Sequence, residues 1–414
     1  MKVVHFSTSE SLGGAAQATY KLHKGLLASN IDSKLFVKYI SSPRVNEVYE
    51  LHRQTGFLEN KILPRIRTIQ KKSLVKNYTL QPHAPFSWNK FLPNYRLDEQ
   101  AIQQADIVGL YWIGEFLSPE NLTNIHQPIV WRLSDIWPFS GGCHYPGKCK
   151  GFQSSCGNCP VLQSDSSQDE SRLLLERKIK SFEHLNITIA APSHWIAGLA
   201  RTSTLFKNRR IEVIKTGVDE NHFKPLVKAE MRKAFQIPDD TELILFGADS
   251  ASDPRKGIRL LIDALKIIQK SSNRKLELGI FGRNYDSEFD TLGFPVRYFG
   301  YITELYLPIL YNCADIFIAP SIEENLPNTA LEAMACEIPV CGFNIGGMSD
   351  LIQNKQNGML ADQIEADALA ESILYALEHS NDLGKNARET ICTQFTQTLQ
   401  TQAYIQLYNS LLKR

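Results

Sequence analysis

Two glutamates, Glu324 and Glu332, bracket the run Asn325-Leu326-Pro327-Asn328, and Lys256 stands upstream in Asp253-Pro254-Arg255-Lys256-Gly257. Carboxylates are strong acceptors for paired hydroxyls, so two of them suit a polyhydroxylated ligand. Pro327 and Asn328 read as a helix start, whose first backbone N–H groups point back toward the strand ending at Pro320. A diphosphate resting on those amides would leave Glu324 to reach a sugar and Glu332 to reach ribose hydroxyls. Lys256 follows a strand and precedes a helix, which brings an ammonium to the same edge. A plainer reading stays open: Glu332 complements a helix N-terminus, Glu324 is solvated loop charge, and Arg255-Lys256 is an ordinary basic pair.

A second cluster is Cys143-x5-Cys149-x6-Cys156-x2-Cys159. Four thiols at this spacing suit a closed structural zinc site with His144 as a substitute ligand, and four thiolates leave no open position for catalysis. Two disulfides or free thiols remain alternatives, the disulfides weighed down by a reducing compartment. A third is basic: Lys61, Arg65, Arg67, Lys71, Lys72 and Lys76 interleave with Ile62, Leu63, Ile66, Ile69 and Leu74, with Pro64 expected to interrupt a continuous helix. Such a face attracts anionic headgroups and points to peripheral membrane contact, against the alternative of a solvated basic surface.

The elements that must position these groups alternate. Lys2 to Phe6, Ile107 to Trp112, Pro128 to Leu133 and Ile187 to Ala190 read as buried strands, and Gly13-Gly14 opens a helix after the first. The pattern restarts with Ile211 to Ile214, Glu242 to Gly247, Leu276 to Phe281, Ile316 to Ala319 and Val340 to Gly342. This α/β order implies two doubly wound, Rossmann-like domains with ligands at the carboxyl ends of their strands, facing each other across a cleft. The expected boundaries are 1–200, with a cysteine-rich loop at 140–160, then 201–395, then a terminal helix at 396–414 whose apolar spacing is Leu399, Ala403, Leu407 and Leu411.

Composition narrows the classes. With 414 residues and 43% hydrophobic content the chain can bury two cores, and a net charge of +1 argues against a dedicated nucleic-acid binder. The opening apolar run is too short for a secretory signal and no stretch is long enough to span a bilayer, so a cytoplasmic setting is expected.

The string Pro320-Ser321-x-x-Glu324-x-x-Pro327-x-x-x-Leu331-Glu332-Ala333-Met334-Ala335 resembles the donor site of family 4 retaining glycosyltransferases. The resemblance extends through Gly13-Gly14, Ala191-Pro192-Ser193, Thr216-Gly217-Val218-Asp219, Lys256-Gly257, Phe299-Gly300, Pro339-Val340 and Gly346-Gly347. The cysteine loop is similar to that of colanic-acid-type exopolysaccharide enzymes. What this implies is a GT-B fold whose last helix crosses back onto the N-terminal domain, and transfer of a hexose from a UDP-, GDP- or ADP-sugar to a saccharide or lipid-linked acceptor. It places Lys256, Glu324 and Asp135 in catalysis, and Gly13, Gly14, Arg255, Arg283, Asn325, Leu326, Pro327, Asn328 and Glu332 at the donor. Lys256 then meets charge growing on the leaving diphosphate, and no catalytic divalent metal is required. Attack on the same face as departure demands no protein nucleophile, so Glu324 positions the donor sugar.

Three positions depart from the family pattern. Ser134 stands where many relatives have His before Asp135, Ala248 where many have Arg, and Tyr111 where His precedes the Trp-Ile pair. Arg255 or Arg283 is then the expected compensating cation. A GT-B epimerase or phosphorylase, and a non-catalytic zinc-bearing nucleotide-sugar-binding protein, are the alternatives.

Overall fold

The computed structural model describes residues 1–40, 46–52, 62–79, 85–88, 92, 95, 97–250, 253–283 and 287–413. Lys61 and the stretch 251–252 lie outside them, as does the side chain at position 248. Among the described residues β1 (Lys2–Ser9), β2 (Asp32–Tyr39), β3 (Val48–Glu50), β4 (Ile107–Leu110), β5 (Ile129–Arg132), β6 (Ile187–Ala191) and β7 (Arg210–Val213) form one parallel sheet. Its order is β3-β2-β1-β4-β5-β6-β7. A second parallel sheet contains β8 (Glu242–Ser250), β9 (Leu276–Arg283), β10 (Val296–Gly300), β11 (Ile316–Ala319), β12 (Val340–Phe343) and β13 (Gly358–Ala361), ordered β10-β9-β8-β11-β12-β13. Strands β4, β5 and β11 are buried along their whole length, as expected where helices cover both faces of a parallel sheet.

The chain divides into two compact units, Met1–Ile214 with Thr401–Arg414, and Lys215–Gln400. That differs from a boundary at 200 and 201. Arg210–Val213 pairs with β6 as the edge of the first sheet instead of opening the second, and its half-buried residues gave no burial signal to assign it by. Strands β2, β3, β10 and β13 went unread; β3 is only three residues long, and β10 is half-exposed.

Helix Gln397–Leu412 supplies the returning segment. The residues that dock are Tyr404, Leu407, Tyr408 and Leu411, packed with Val3, Leu22, Ile107 and Tyr111. Leu399, expected on that seam, is exposed. Aromatic side chains won the contact surface because each buries more area than Leu or Ala. Tyr111 is 2% exposed and its hydroxyl meets His5 Nδ1 at 2.9 Å, so it is a core residue. The same buried network joins His5 Nε2 and His23 Nδ1 to Ser33 Oγ at 3.0 and 2.7 Å.

Candidate functional site

In a doubly wound sheet, the crevice for a ligand opens beyond the carboxyl ends of the two strands where the order reverses. For the second sheet these are β8 and β11, which are direct neighbours. The loop after β8 delivers Asp253-Pro254-Arg255-Lys256-Gly257, and the loop after β11 delivers Pro320 to Pro327. The two loops are joined by Ile322 N donating to Arg255 O at 2.8 Å. Lys256 ends a short 3-10 turn capped by Asp253, whose carboxylate accepts from Arg255 N. Gly257 then turns with φ of 68°, and a Cβ there would lie 1.8 Å from Pro320 O. Only glycine lets the lysine loop approach the strand end so closely.

Across that junction Lys256 Nζ donates to Glu324 Oε2 at 2.6 Å, the side chains being 29% and 13% exposed. Glu324 Oε1 accepts from Asn325 N at 3.1 Å. Gly346, with φ of 54°, fits beneath: a Cβ would stand 1.7 Å from Glu324 O. Helix Asn328–Ala335 follows this loop with Pro327 as N-cap and no side-chain cap, and its first intrahelical bonds run from Ala330 N and Leu331 N to Pro327 O. Glu332 takes another course. It is 3% exposed, and its Oε2 accepts from Tyr311 OH at 3.2 Å. The carboxylate in turn helps burial push the Tyr311 hydroxyl up. An ammonium and a partly exposed carboxylate thus meet at one strand-end crevice, in the loop that leads into a helix start, an arrangement suited to an anionic group joined to a polyhydroxylated one.

Residues 227–390 match the family Glycosyl transferases group 1. They form a glycosyl transferases group 1 domain. The chain is 27% identical over 199 residues to mannosylfructose-phosphate synthase of Agrobacterium fabrum, covering 44% of this chain and 43% of that protein. It is 31% identical over 134 residues to O-antigen chain mannosyltransferase B of Escherichia coli, covering 30% and 35%. The chain therefore spans less than half the length of these curated relatives. Sucrose-phosphate synthase from Thermosynechococcus elongatus superposes with a TM-score of 0.70 at 20% identity over 100% of this chain and 99% of that one. That likeness shows the fold, two parallel-sheet Rossmann-like domains of the GT-B kind.

Within the group 1 domain the two other expected cations have partners of their own. Arg255 is tied to Asp253 by its guanidinium. Arg283, at the end of β9, lies 4.6 Å over the ring of Tyr301. Tyr301 was not singled out by spacing; its only signal is an aromatic residue directly after Phe299-Gly300.

In the first unit the reversal falls between β1 and β4. Gly13 adopts φ of 84° and starts helix Gly14–Ala28, again without a side-chain cap. Asp135, expected in catalysis, is 6% exposed with both oxygens engaged. Oδ1 accepts from Trp137 N at 2.9 Å, and Oδ2 accepts from Trp112 Nε1 at 2.9 Å and His144 Nδ1 at 2.7 Å. Three donors hold Asp135 in place, and it orients its neighbours in turn. His144 was read only as a spare metal ligand; its place beside Asp135 is set by folding of the cysteine loop, which spacing does not reveal.

Cys143, Cys149, Cys156 and Cys159 are free thiols. Among the described residues no group of three or more His, Cys, Asp or Glu is gathered so as to hold a metal ion, so the expected zinc is not supported. The four thiols nonetheless lie near one another: Cys149, Cys156 and Cys159 all act on Cys143, and Cys143 pairs with Phe86, which packs on the cluster of Trp88, Cys159 and Leu162. Burial pushes the Cys143 thiol well up and that of Cys156 up to about 12, which keeps both protonated. The start of the loop is held by Lys178, whose amine donates to Trp137 O and Ser140 O and stands 4.0 Å over the Trp137 ring, burial lowering it to about 7.

Proposed function

We propose that this protein is a retaining glycosyltransferase that moves a hexose from a nucleotide diphosphate sugar to a saccharide or lipid-linked acceptor in bacterial surface glycan synthesis. The observation that carries the reading is the Lys256–Glu324 contact at the switch point of the group 1 domain. An incoming diphosphate competes with Glu324 for the Lys256 ammonium and takes up the amides of helix Asn328–Ala335. Glu324, relieved of that partner, turns its oxygens to the sugar hydroxyls. As the anomeric bond breaks, negative charge grows on the leaving phosphate oxygen beside Lys256, and this preferentially stabilises the transition state. Same-face attack by the acceptor oxygen gives retention, with its proton passing to the departing phosphate. A base at Arg283 and Tyr301 would gain from stacking.

The O-antigen chain mannosyltransferase B of Escherichia coli supports the surface-glycan setting by its name. Membrane approach has its own support. Helix Leu63–Val75 contains no buried residue and no acidic one, and Pro64 lies in its first turn, so it does not interrupt the helix. Ile62, Ile66 and Ile69 are exposed beside Arg65, Arg67, Lys71 and Lys72. Among the described residues no helix is long and apolar enough to cross a membrane. Flotation with anionic liposomes at low salt is expected to carry the protein upward, and loss of Ile66 and Ile69 to serine to abolish this.

The deciding experiment incubates the protein with UDP-, GDP- and ADP-sugars and follows nucleotide release and anomeric configuration. Turnover that fails in Lys256→Ala and Glu324→Ala supports the reading. Tight nucleotide-sugar binding without any turnover favours a binding protein instead.

A further inference from the structure

The first unit carries its own switch-point device. Trp112 stands two residues after β4, at the reversal between β1 and β4, and its carbonyl accepts from Thr8 N at 3.0 Å and Thr8 Oγ1 at 2.8 Å. Both neighbours, Tyr111 and Ile113, are core residues, but Trp112 is half-buried. Its indole is held at two points. Nε1 donates to Asp135 Oδ2, and the ring lies 5.6 Å from the His144 ring at an interplanar angle of 30°. His144 is itself fixed, since Nδ1 donates to Asp135 and Nε2 meets Ser87 Oγ at 2.8 Å. Ser87 and His144 come from segments that pair through their backbones, Ser87 N donating to Gly142 O and His144 N to Pro85 O. Ser87, His144 and Asp135 are all buried.

This is much hydrogen-bonding structure for one partly exposed indole. A buried polar chain is retained at a cost in desolvation, and its output here is a single ring orientation at the ligand edge of the sheet. A rigid aromatic ring is the surface that the apolar C–H face of a pyranose stacks upon, while its hydroxyls remain turned to polar groups.

We infer that Trp112 is a stacking residue for the pyranose ring of the glycosyl acceptor, and that Asp135, His144 and Ser87 are the positioning residues that hold its indole. The inference rests on the glycosyl-transfer reading for the word acceptor, but the sugar subsite is testable without it.

The test uses the full chain labelled with 5-fluorotryptophan. Five tryptophans give five fluorine resonances, and Trp112→Phe identifies one of them. The probes are the methyl α- and β-glycosides of glucose, galactose, mannose and N-acetylglucosamine, each in large excess. At least one is expected to shift the Trp112 resonance saturably and to bind roughly tenfold more weakly to Trp112→Ala. His144→Phe is expected to split or broaden that resonance and weaken the saccharide response, while His144→Asn, which keeps an N–H for Asp135, restores much of it. No Trp112 response to any glycoside overturns the inference, as does a response confined to other tryptophans. A sharp, unmoved Trp112 resonance in His144→Phe and in the milder Ser87→Ala overturns the positioning roles. Nucleotide-sugar turnover by the parent chain is followed in parallel. Turnover without a Trp112 response removes this subsite alone, and a Trp112 response without turnover supports the subsite while counting against glycosyl transfer.

Discussion

Lys256 donates to Glu324 at 2.6 Å across 68 positions of sequence, joining the loop after β8 to the loop after β11. The pair holds an ammonium and a carboxylate ready at the reversal of the second sheet. Neither side chain is fully buried, so both can exchange partners when an anion arrives.

Lys256→Ala is accordingly expected to lower kcat for nucleotide-sugar turnover by about 10² to 10³, the range for one preorganised electrostatic contact to developing charge. Stability should change little, because a partly exposed ion pair contributes about 0–1 kcal/mol. Steady-state kinetics with a melting curve checks both. The double variant with Glu324→Ala should fall short of the product of the single losses, since each removes the partner of the other. A rise in KM alone would mean that Lys256 serves ground-state binding.

Gly257→Ala tests the approach of the two loops. The φ of 68° costs an L-residue about 1–2 kcal/mol, and the Cβ would fall 1.8 Å from Pro320 O, so backbone must move as well. The expected result is a lower urea midpoint together with lost turnover, because Lys256 is the adjoining residue. Gly198→Ala is the control: a Cβ there meets nothing within 4 Å.

Much of this second-unit site was legible because its elements are local. A strand, a polar loop and a helix start lie in one continuous run from Ile316 to Ala335, and Lys256 sits in an equally compact strand–loop–helix. Glu332 shows the limit: the same spacing that sets it on the helix gives no hint that Tyr311 lies beside it. The first unit was less readable. Trp112, Asp135, His144 and Ser87 are spread over 57 positions between Ser87 and His144 alone, and their meeting depends on the path of the cysteine loop. The cysteine spacing likewise suggested one cage, but spacing brings the thiols to one loop without setting how they point, and among the described residues no metal-holding group forms.

Thiol chemistry follows from that burial. Cys392 is exposed, whereas burial pushes Cys313 up to about 11 and holds Cys143, Cys159, Cys336 and Cys341 above the ordinary thiol range. Thiolates are the reactive form, so a disulfide reagent near neutral pH should modify Cys392 first and these five only slowly or after denaturation. Cys392→Ser should remove the fast phase. Stoichiometric zinc protecting Cys143, Cys149, Cys156 and Cys159 together would show that the loop closes into a cage this arrangement lacks.

Acid should destabilise the first unit before carboxylates titrate. Burial lowers His5 well below 6.5, helped by the neighbouring His23, and burial also lowers His23, opposed by the Asn46 carbonyl and Glu47. Both imidazoles therefore stay neutral in the fold at pH values where the unfolded chain has begun to protonate them. Below about pH 6.5 the unfolded state binds more protons, and stability falls by about 1.4 kcal/mol per pH unit for each group until its folded-state value is reached. Urea midpoints measured from about pH 7.5 down to about pH 5.5 should show this decline. His5→Gln, which cannot protonate yet can still hydrogen-bond toward Ser33 or Tyr111, should flatten it. An unchanged slope in that variant would mean that the loss arises elsewhere in the protein.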